Sequence, residues 1–293
     1  ISGFHTNAAG IRGPEIGTKR KDEQRVLTIG DSITLGLAVN DNQTFSAQLG
    51  ATLGDAVTVY NAGVPGYGTE QATTLMERLF TKVQPDAVLL TVYTGNDLRD
   101  NVRWAESPGL PPDPPPVVSA PPPPRAAWLS SLAKHSRLVA YSLMFLDLSR
   151  ASSDFRIQEF KDEILPFTDR DQLGPLMPST RAALHRFADV CRTLHVPCGI
   201  ALVPPAFVVH TERMERTFAA FGIHADGSHL NAPQRAIQAA APNATPVLDL
   251  TDALREGADR KPYLIFDPHF SAEGHAIAAE ALAPFVARLL ASP

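Results

Sequence analysis

Short apolar runs alternate along the chain with longer segments whose apolar residues recur at helical spacing. The short runs are rich in aliphatic and β-branched residues and predict strands at 25–30, 57–63, 87–93, 199–203 and 247–250. The longer segments predict helices at about 44–53, 70–82, 180–195, 233–241 and 274–290. Strands that alternate with helices form parallel sheets covered on both faces, so the pattern predicts an α/β fold.

One segment breaks this alternation. Ten of the 26 prolines lie between Pro108 and Pro124. Proline has no amide hydrogen to donate, so this run cannot join the sheet or a helix and favours the extended polyproline II conformation. We predict a Pro-rich insertion over 107–125, which acts as an exposed connector or as a ligand for a proline-recognition domain. The apolar spacing of the next residues predicts a helical cap segment over 126–150 beside the sheet.

The rest of the chain predicts a single domain over 25–293, which includes this insertion and cap. We expect residues 1–24 to form an N-terminal extension that packs on the domain. The first residue is Ile1. We therefore expect an exported protein, periplasmic or secreted, or one held at the membrane by an N-terminal segment that has been removed.

Composition excludes several classes of protein. Hydrophobic residues make up 44% of the 293 residues and charged residues 19%, which excludes a disordered or fibrous chain. The 26 basic and 31 acidic residues leave a net charge of −5 without a long basic run, so we expect no nucleic-acid partner. The longest uncharged apolar stretch, 197–209, contains three prolines and is shorter than the ~20 residues that span a bilayer. We therefore expect no transmembrane segment in this chain.

The two cysteines, Cys191 and Cys198, are too few for a disulfide scaffold or a Cys-rich metal site. They stand at the end of a predicted helix and the start of the next strand, so a disulfide between them and two separate buried thiols both remain open. We find no cluster of metal ligands at a useful spacing and no Gly-rich phosphate loop. The sequence predicts neither a metal nor a cofactor.

Candidate chemistry lies at the carboxyl ends of the strands, where open α/β sheets bind ligands. The first three strands each end in a polar turn that contains glycine, at 30–36, 61–68 and 95–97. A fourth polar segment, 266–275, precedes the last helix.

These segments carry a family resemblance. Gly-Asp-Ser at 30–32, Gly66, Gly-Asn-Asp at 95–97 and Asp-x-His at 267–269 resemble the four blocks of the SGNH (GDSL-like) hydrolase family, in the same order. The resemblance extends from about residue 25 to the end of the chain. It implies a flavodoxin-like three-layer α/β/α sandwich with a five-stranded parallel sheet, and esterase, lipase or acyl-transfer activity.

The resemblance also implies a catalytic set. Ser32 is the predicted nucleophile, His269 the general base and acid, and Asp267 the group that orients the imidazole. The family commonly has the Asp three residues before the His, whereas this chain has Phe266 there and the Asp two residues before. Of the nine histidines, the main rival is His275, which we interpret as structural.

An acyl-transfer site also needs donors for the oxyanion of the tetrahedral intermediate. The predicted donors are the amides of Ser32 and Gly66 and the carboxamide of Asn96. Gly63 and Gly68 compete with Gly66 for its role.

Two further sets of residues are predicted to be structural. We expect Asp31 to accept hydrogen bonds from loop amides. Asn7, Gly10 and Arg12 resemble a segment that precedes the first strand in some bacterial relatives, and we expect them to pack across the edge of the sheet.

We therefore predict a serine esterase that hydrolyses small acyl esters, acetyl or short-chain, of a small molecule or carbohydrate through an acyl-enzyme. One alternative is an O-acyltransferase that passes an acetyl group to a cell-envelope polysaccharide, because the acceptor depends on the shape of the cleft. A second alternative is a non-catalytic carbohydrate- or partner-binding module, which predicts a lost catalytic residue, whereas all of them are present. The sequence does not predict the oligomeric state.

Overall fold

A computed structural model describes residues 3–107, 160–225, 227–265 and 267–292. The chain divides into two compact units, residues 1–107 with 165–293, and residues 108–164. The predicted cap segment and the predicted Pro-rich insertion beyond Ser107 lie outside the described residues. The first unit contains the sheet and the candidate site.

The described strands of this unit belong to one parallel sheet. They are β1 (Gln24–Gly30), β2 (Val57–Gly63), β3 (Ala87–Tyr93), β4 (Cys198–Val203) and β5 (Val247–Asp249), in the spatial order β2-β1-β3-β4-β5. The predicted five-stranded parallel sheet is confirmed, and no strand boundary differs from its prediction by more than one residue.

The described helices fall into two groups. Those that the sequence predicted are α2 (Phe45–Leu53), α3 (Thr69–Val83), α6 (Met177–Thr193), α9 (Ala232–Ala240) and α11 (Ala272–Leu290). Those that it did not predict are α1 (Ser32–Leu35), α4 (Asp97–Glu106), α5 (Arg170–Leu173), α7 (Ala206–Val209), α8 (Thr211–Ala220) and α10 (Thr251–Glu256). None of the described helices is both long and apolar enough to cross a membrane.

The core lies on both faces of the sheet. Every residue of β3 is buried, and its side chains alternate between the two faces. Leu89 and Tyr93 pack into the cluster that includes α2 and α11, while Val88 and Leu90 pack into the cluster that includes α3, α6 and α9. The predicted three-layer α/β/α arrangement is therefore confirmed.

Two links tie chain segments to the sheet. Cys191 near the end of α6 and Cys198 at the start of β4 form a disulfide, with their Cα atoms 6.2 Å apart. At the β2 edge, Arg12 and Asn61 exchange backbone hydrogen bonds of 2.9 and 3.0 Å. The segment around Arg12 therefore packs on the sheet edge.

Candidate active site

The first strand ends in a tight turn that carries Ser32 at the start of α1. Gly30 has a φ of +151°, and a side-chain carbon there would lie 2.3 and 2.4 Å from two threonine hydroxyls, so only glycine fits. Asp31 caps α1, because its Oδ1 accepts a 2.9 Å hydrogen bond from the amide of Ile33. This bond is the loop-amide contact expected of Asp31. The turn leaves Ser32 only partly buried at the carboxyl edge of the sheet.

The loop before α11 brings His269 and Asp267 to Ser32. The Nε2 atom of His269 lies 2.8 Å from the Oγ of Ser32, across a sequence separation of 237 residues. The Nδ1 atom of His269 lies 2.5 Å from Oδ1 of Asp267. One hydrogen-bonded chain therefore joins the three residues that the sequence singled out.

Asp267 also sets the electrostatics of the hydrogen bonds that join it to His269 and Ser32. The hydrogen bond from His269 lowers the pKa of Asp267, against the opposing effect of partial burial. An ionised Asp267 accepts the Nδ1 hydrogen of a neutral imidazole, which leaves the Nε2 lone pair facing Ser32. This tautomer is the one that can remove a proton from the hydroxyl.

The three glycines at and after β2 differ in what their amides bind. The amides of Gly63 and Gly68 donate to nearby side chains at 3.0 and 2.8 Å. Gly66 has a φ of +77° in the turn 64–67, which a 3.1 Å bond from the amide of residue 67 to the carbonyl of residue 64 closes. Within the described residues its own amide has no partner. Of the three, Gly66 is the one whose N–H remains open to a ligand.

Asn96 stands at the N-terminus of α4. Because β1 lies between β2 and β3, the loops that carry Gly66 and Asn96 leave the sheet on either side of the loop that carries Ser32. The Nδ2 atom of Asn96 donates a 2.9 Å hydrogen bond to Oδ2 of Asp100. Its second hydrogen has no acceptor among the residues that the structure describes and remains for a ligand. The Oδ1 atom of Asn96 is buried without a partner in the part of the chain that the structure describes.

Two buried carboxyl groups flank the candidate site residues: Asp31 precedes Ser32, and Asp97 follows Asn96. Each is only 1% exposed. Burial raises the pKa of Asp31 to about 6. Burial and the charges of Asp31 and Asp100 raise the pKa of Asp97 well above its usual range. Burial thus favours the uncharged form of both carboxyl groups.

His275 lies in the core. Its Nδ1 atom accepts a 3.1 Å hydrogen bond from the amide of Phe45, and its ring meets that of Phe270 edge-on at a centroid distance of 5.5 Å. The imidazole is 1% exposed, and burial lowers its pKa to about 3. These contacts engage His275 in packing, away from the chain of hydrogen bonds at Ser32.

Sequence reasoning missed two contacts around the site. Buried Arg12 donates from Nη1 to the carbonyls of Leu35 and Gly36, both at 2.8 Å, and so ties the N-terminal segment to the end of α1. Asp100 binds Asn96 from four residues on, a spacing that places both side chains on one helix face. That spacing was a usable signal, but α4 itself was not predicted.

The described residues hold no group of three or more His, Cys, Asp or Glu side chains that could bind a metal ion.

The sequence model of the GDSL-like lipase/acylhydrolase family matches residues 28–233. The chain belongs to the GDSL-like lipase/acylhydrolase family. It is therefore a carboxylic ester hydrolase. The match includes Ser32, Gly66 and Asn96, and it ends before Asp267 and His269.

Solved structures similar to this GDSL-like hydrolase include a carbohydrate acetylesterase family member from Sinorhizobium meliloti, with 14% identity and a TM-score of 0.45 over 92% of this chain and 100% of that one. TesA has 14% identity and a TM-score of 0.46, over 91% and 99%. An acetyl xylan esterase from Geobacillus stearothermophilus has 17% identity and a TM-score of 0.42, over 93% and 97%. No curated protein matches the sequence. Identities this low do not transfer a substrate.

Proposed function

We propose that this GDSL-like hydrolase is a serine esterase that cleaves acetyl or other short-chain acyl esters through an acyl-enzyme intermediate. The observation that supports the proposal most is the 2.8 Å distance between Ser32 Oγ and His269 Nε2. A serine hydroxyl is a weak nucleophile at neutral pH and needs a base within hydrogen-bond reach. Asp267, 2.5 Å behind the imidazole, supplies the group that orients this base.

The proposed reaction has two halves. Ser32 Oγ attacks the ester carbonyl while its proton moves to Nε2 of His269, which gives a tetrahedral oxyanion and an imidazolium beside Asp267. The imidazolium then protonates the leaving alcohol as the carbon–oxygen bond of the ester breaks. In the second half, water gives a proton to Nε2 and attacks the acyl-enzyme. The carboxylic acid leaves and Ser32 recovers its proton.

The oxyanion of both intermediates needs donors that are already in place. We assign this role to the amides of Ser32 and Gly66 and to Nδ2 of Asn96. The amides of Ser32 and Gly66 have no hydrogen-bond partner within the described ranges, and Asn96 has one Nδ2 hydrogen left. Losing one such donor in a comparable hydrolase lowers the rate by about 10²–10³-fold.

The preference for short acyl chains is inferred from the sequence. The sequence predicts a cap over 126–150 that carries several large apolar residues, and this segment lies outside the described residues. The family matched includes lipases as well as acylhydrolases. The preferred length of the acyl chain is therefore the part of the proposal that a series of ester substrates must test.

The experiment compares p-nitrophenyl acetate, butyrate and octanoate with wild-type protein, Ser32→Ala and Ser292→Ala. Ser292 is exposed near the C-terminus and is the matched control. We expect the highest kcat/KM with acetate, loss of turnover in Ser32→Ala alone, and a fluorophosphonate adduct on the peptide that contains Ser32. A steady rise in kcat/KM toward octanoate would contradict the chain-length assignment. Turnover and labelling that survive Ser32→Ala would contradict the mechanism.

A further inference from the structure

Asn96 has an unusual set of partners for a carboxamide at the proposed oxyanion site. Its Nδ2 atom donates to Oδ2 of Asp100 at 2.9 Å, while Oδ1 is buried and meets no donor among the described residues. A buried carbonyl oxygen without a partner is unfavourable. The contact with Asp100 is therefore what favours this orientation of the Asn96 side chain.

A carboxamide has two orientations of nearly equal shape, which differ by a half-turn that exchanges oxygen and nitrogen. In the observed orientation, one Nδ2 hydrogen binds Asp100, and the other has no acceptor within the described part of the chain. In the opposite orientation, Oδ1 would face the carboxylate of Asp100, and the two oxygens would repel each other. That orientation would also remove the N–H donors from the position where Nδ2 now lies.

The surroundings hold Asp100 in place for this contact. Asp100 lies four residues after Asn96 on one face of α4, and it is 8% exposed. Its second oxygen, Oδ1, accepts a 3.1 Å bond from Nη1 of Arg103. A carboxylate bound at both oxygens, one of them by a cation, keeps a fixed direction.

We propose that Asp100 is a positioning residue for the esterase reaction. Its carboxylate selects the orientation of the Asn96 carboxamide that presents a donor to the oxyanion. This inference rests on the proposed oxyanion role of Asn96. In this proposal Asp100 contacts Asn96 and not the reacting atoms, so it acts on the rate through Asn96.

A double-mutant cycle tests the inference, because only an effect that passes through Asn96 disappears when Asn96 is absent. The proteins are wild type, Asp100→Ala, Asn96→Ala and the double variant, with kcat and KM measured on p-nitrophenyl acetate. Glu106→Ala is the control, since it removes an exposed carboxylate from the same helix. Asp100→Asn serves as a second variant if Asp100→Ala does not fold, because an amide at 100 can accept from Nδ2 or donate to Oδ1.

We expect Asp100→Ala to lower kcat by roughly tenfold to a hundredfold and leave KM within about threefold, because the lost donor acts on the transition state. Asn96→Ala should lower kcat by about 10²–10³-fold, and the kcat of the double variant should be no lower than that of Asn96→Ala. Asp100→Asn should fall between wild type and Asp100→Ala.

Two results would overturn the inference while the esterase proposal stands. One is a double variant whose loss equals the product of the two single losses. The other is an Asp100→Ala protein that keeps wild-type kcat while Asn96→Ala is impaired. A wild-type kcat in Asn96→Ala would be a different failure, since it would remove the proposed oxyanion role and this inference with it.

Discussion

Burial of His275 makes the free energy of unfolding of this protein fall at acidic pH. The imidazole is 1% exposed, and its Nδ1 accepts from the amide of Phe45. Burial, with smaller effects from the charges of Arg12 and His269, lowers the pKa of His275 from 6.5 to about 3. A folded chain therefore keeps this side chain neutral at a pH where an unfolded chain protonates it.

The sign and size follow from linkage. Below pH 6.5 the unfolded state binds one more proton than the folded state, so the free energy of unfolding falls as pH falls, until the folded pKa is reached. Each pH unit is worth at most about 1.4 kcal/mol, and the full difference is at most about 5 kcal/mol. Between pH 6.5 and 4.5 this one group should remove about 2 kcal/mol of stability.

Denaturant unfolding from pH 8 to 4.5 tests this with wild type, His275→Asn and His185→Asn. Asparagine at 275 keeps an oxygen near the position of Nδ1 but has no group that titrates. His185 is an exposed histidine on α6 and is the control. We expect His275→Asn to be less stable than wild type at pH 8, because ring packing is lost, and the gap to narrow by about 2 kcal/mol between pH 6.5 and 4.5.

His185→Asn should follow wild type at a constant offset. Parallel curves for wild type and His275→Asn would refute the reasoning. Loss of ester hydrolysis in a folded His275→Asn protein at pH 8 would instead show that His275, and not His269, is the base.

Three other predictions follow from the site. Ser32→Ala and His269→Ala should each reduce kcat/KM to a similar residual level, with the double variant no worse, and multiplicative losses would contradict a shared catalytic unit. Burial raises the pKa of Asp31 from 3.8 to about 6, so ionisation of this group opposes folding. In urea unfolding, the free energy of unfolding of Asp31→Asn should therefore exceed that of wild type by up to about 3 kcal/mol above pH 6 and equal it at pH 3.5. An equal gain at both pH values would contradict this. In Gly63→Ala the new side-chain carbon would lie 2.2 Å from a backbone nitrogen of α1, so both Tm and kcat should fall. Gly174 has open space around it, so the control Gly174→Ala should resemble wild type in thermal melts and turnover.

The strands could be predicted closely because their signal is local. A buried strand such as β3 has a run of apolar residues interrupted only by Thr91, with turn residues on either side, and the structure buries all of its residues. Helix α4 lacks that signal. The face that it buries includes the polar residues Asp97, Asp100 and Asn101 beside Leu98, so apolar residues mark this buried face only weakly.

The residues of the candidate site also divide into those with a local sequence signal and those without one. Ser32 and His269 stand in motifs at the ends of predicted elements, and the fold brings their side chains within 2.8 Å of each other. The contacts of Arg12 and Asp100 depend on which loops meet in space. The sequence indicates that Arg12 packs at the sheet edge, but only the structure places its guanidinium, 2% exposed, against carbonyl groups near the end of α1.

The spacing of two residues between Asp267 and His269 carries a consequence for how the proposed base is held. A single oxygen, Oδ1 of Asp267, accepts both the Nδ1 hydrogen at 2.5 Å and the backbone amide of His269 at 2.9 Å. The same carboxylate therefore shapes the loop backbone and selects the tautomer. Because Asp267 is 48% exposed, water screens its charge, so orientation of the imidazole is the larger part of its effect on the proposed reaction.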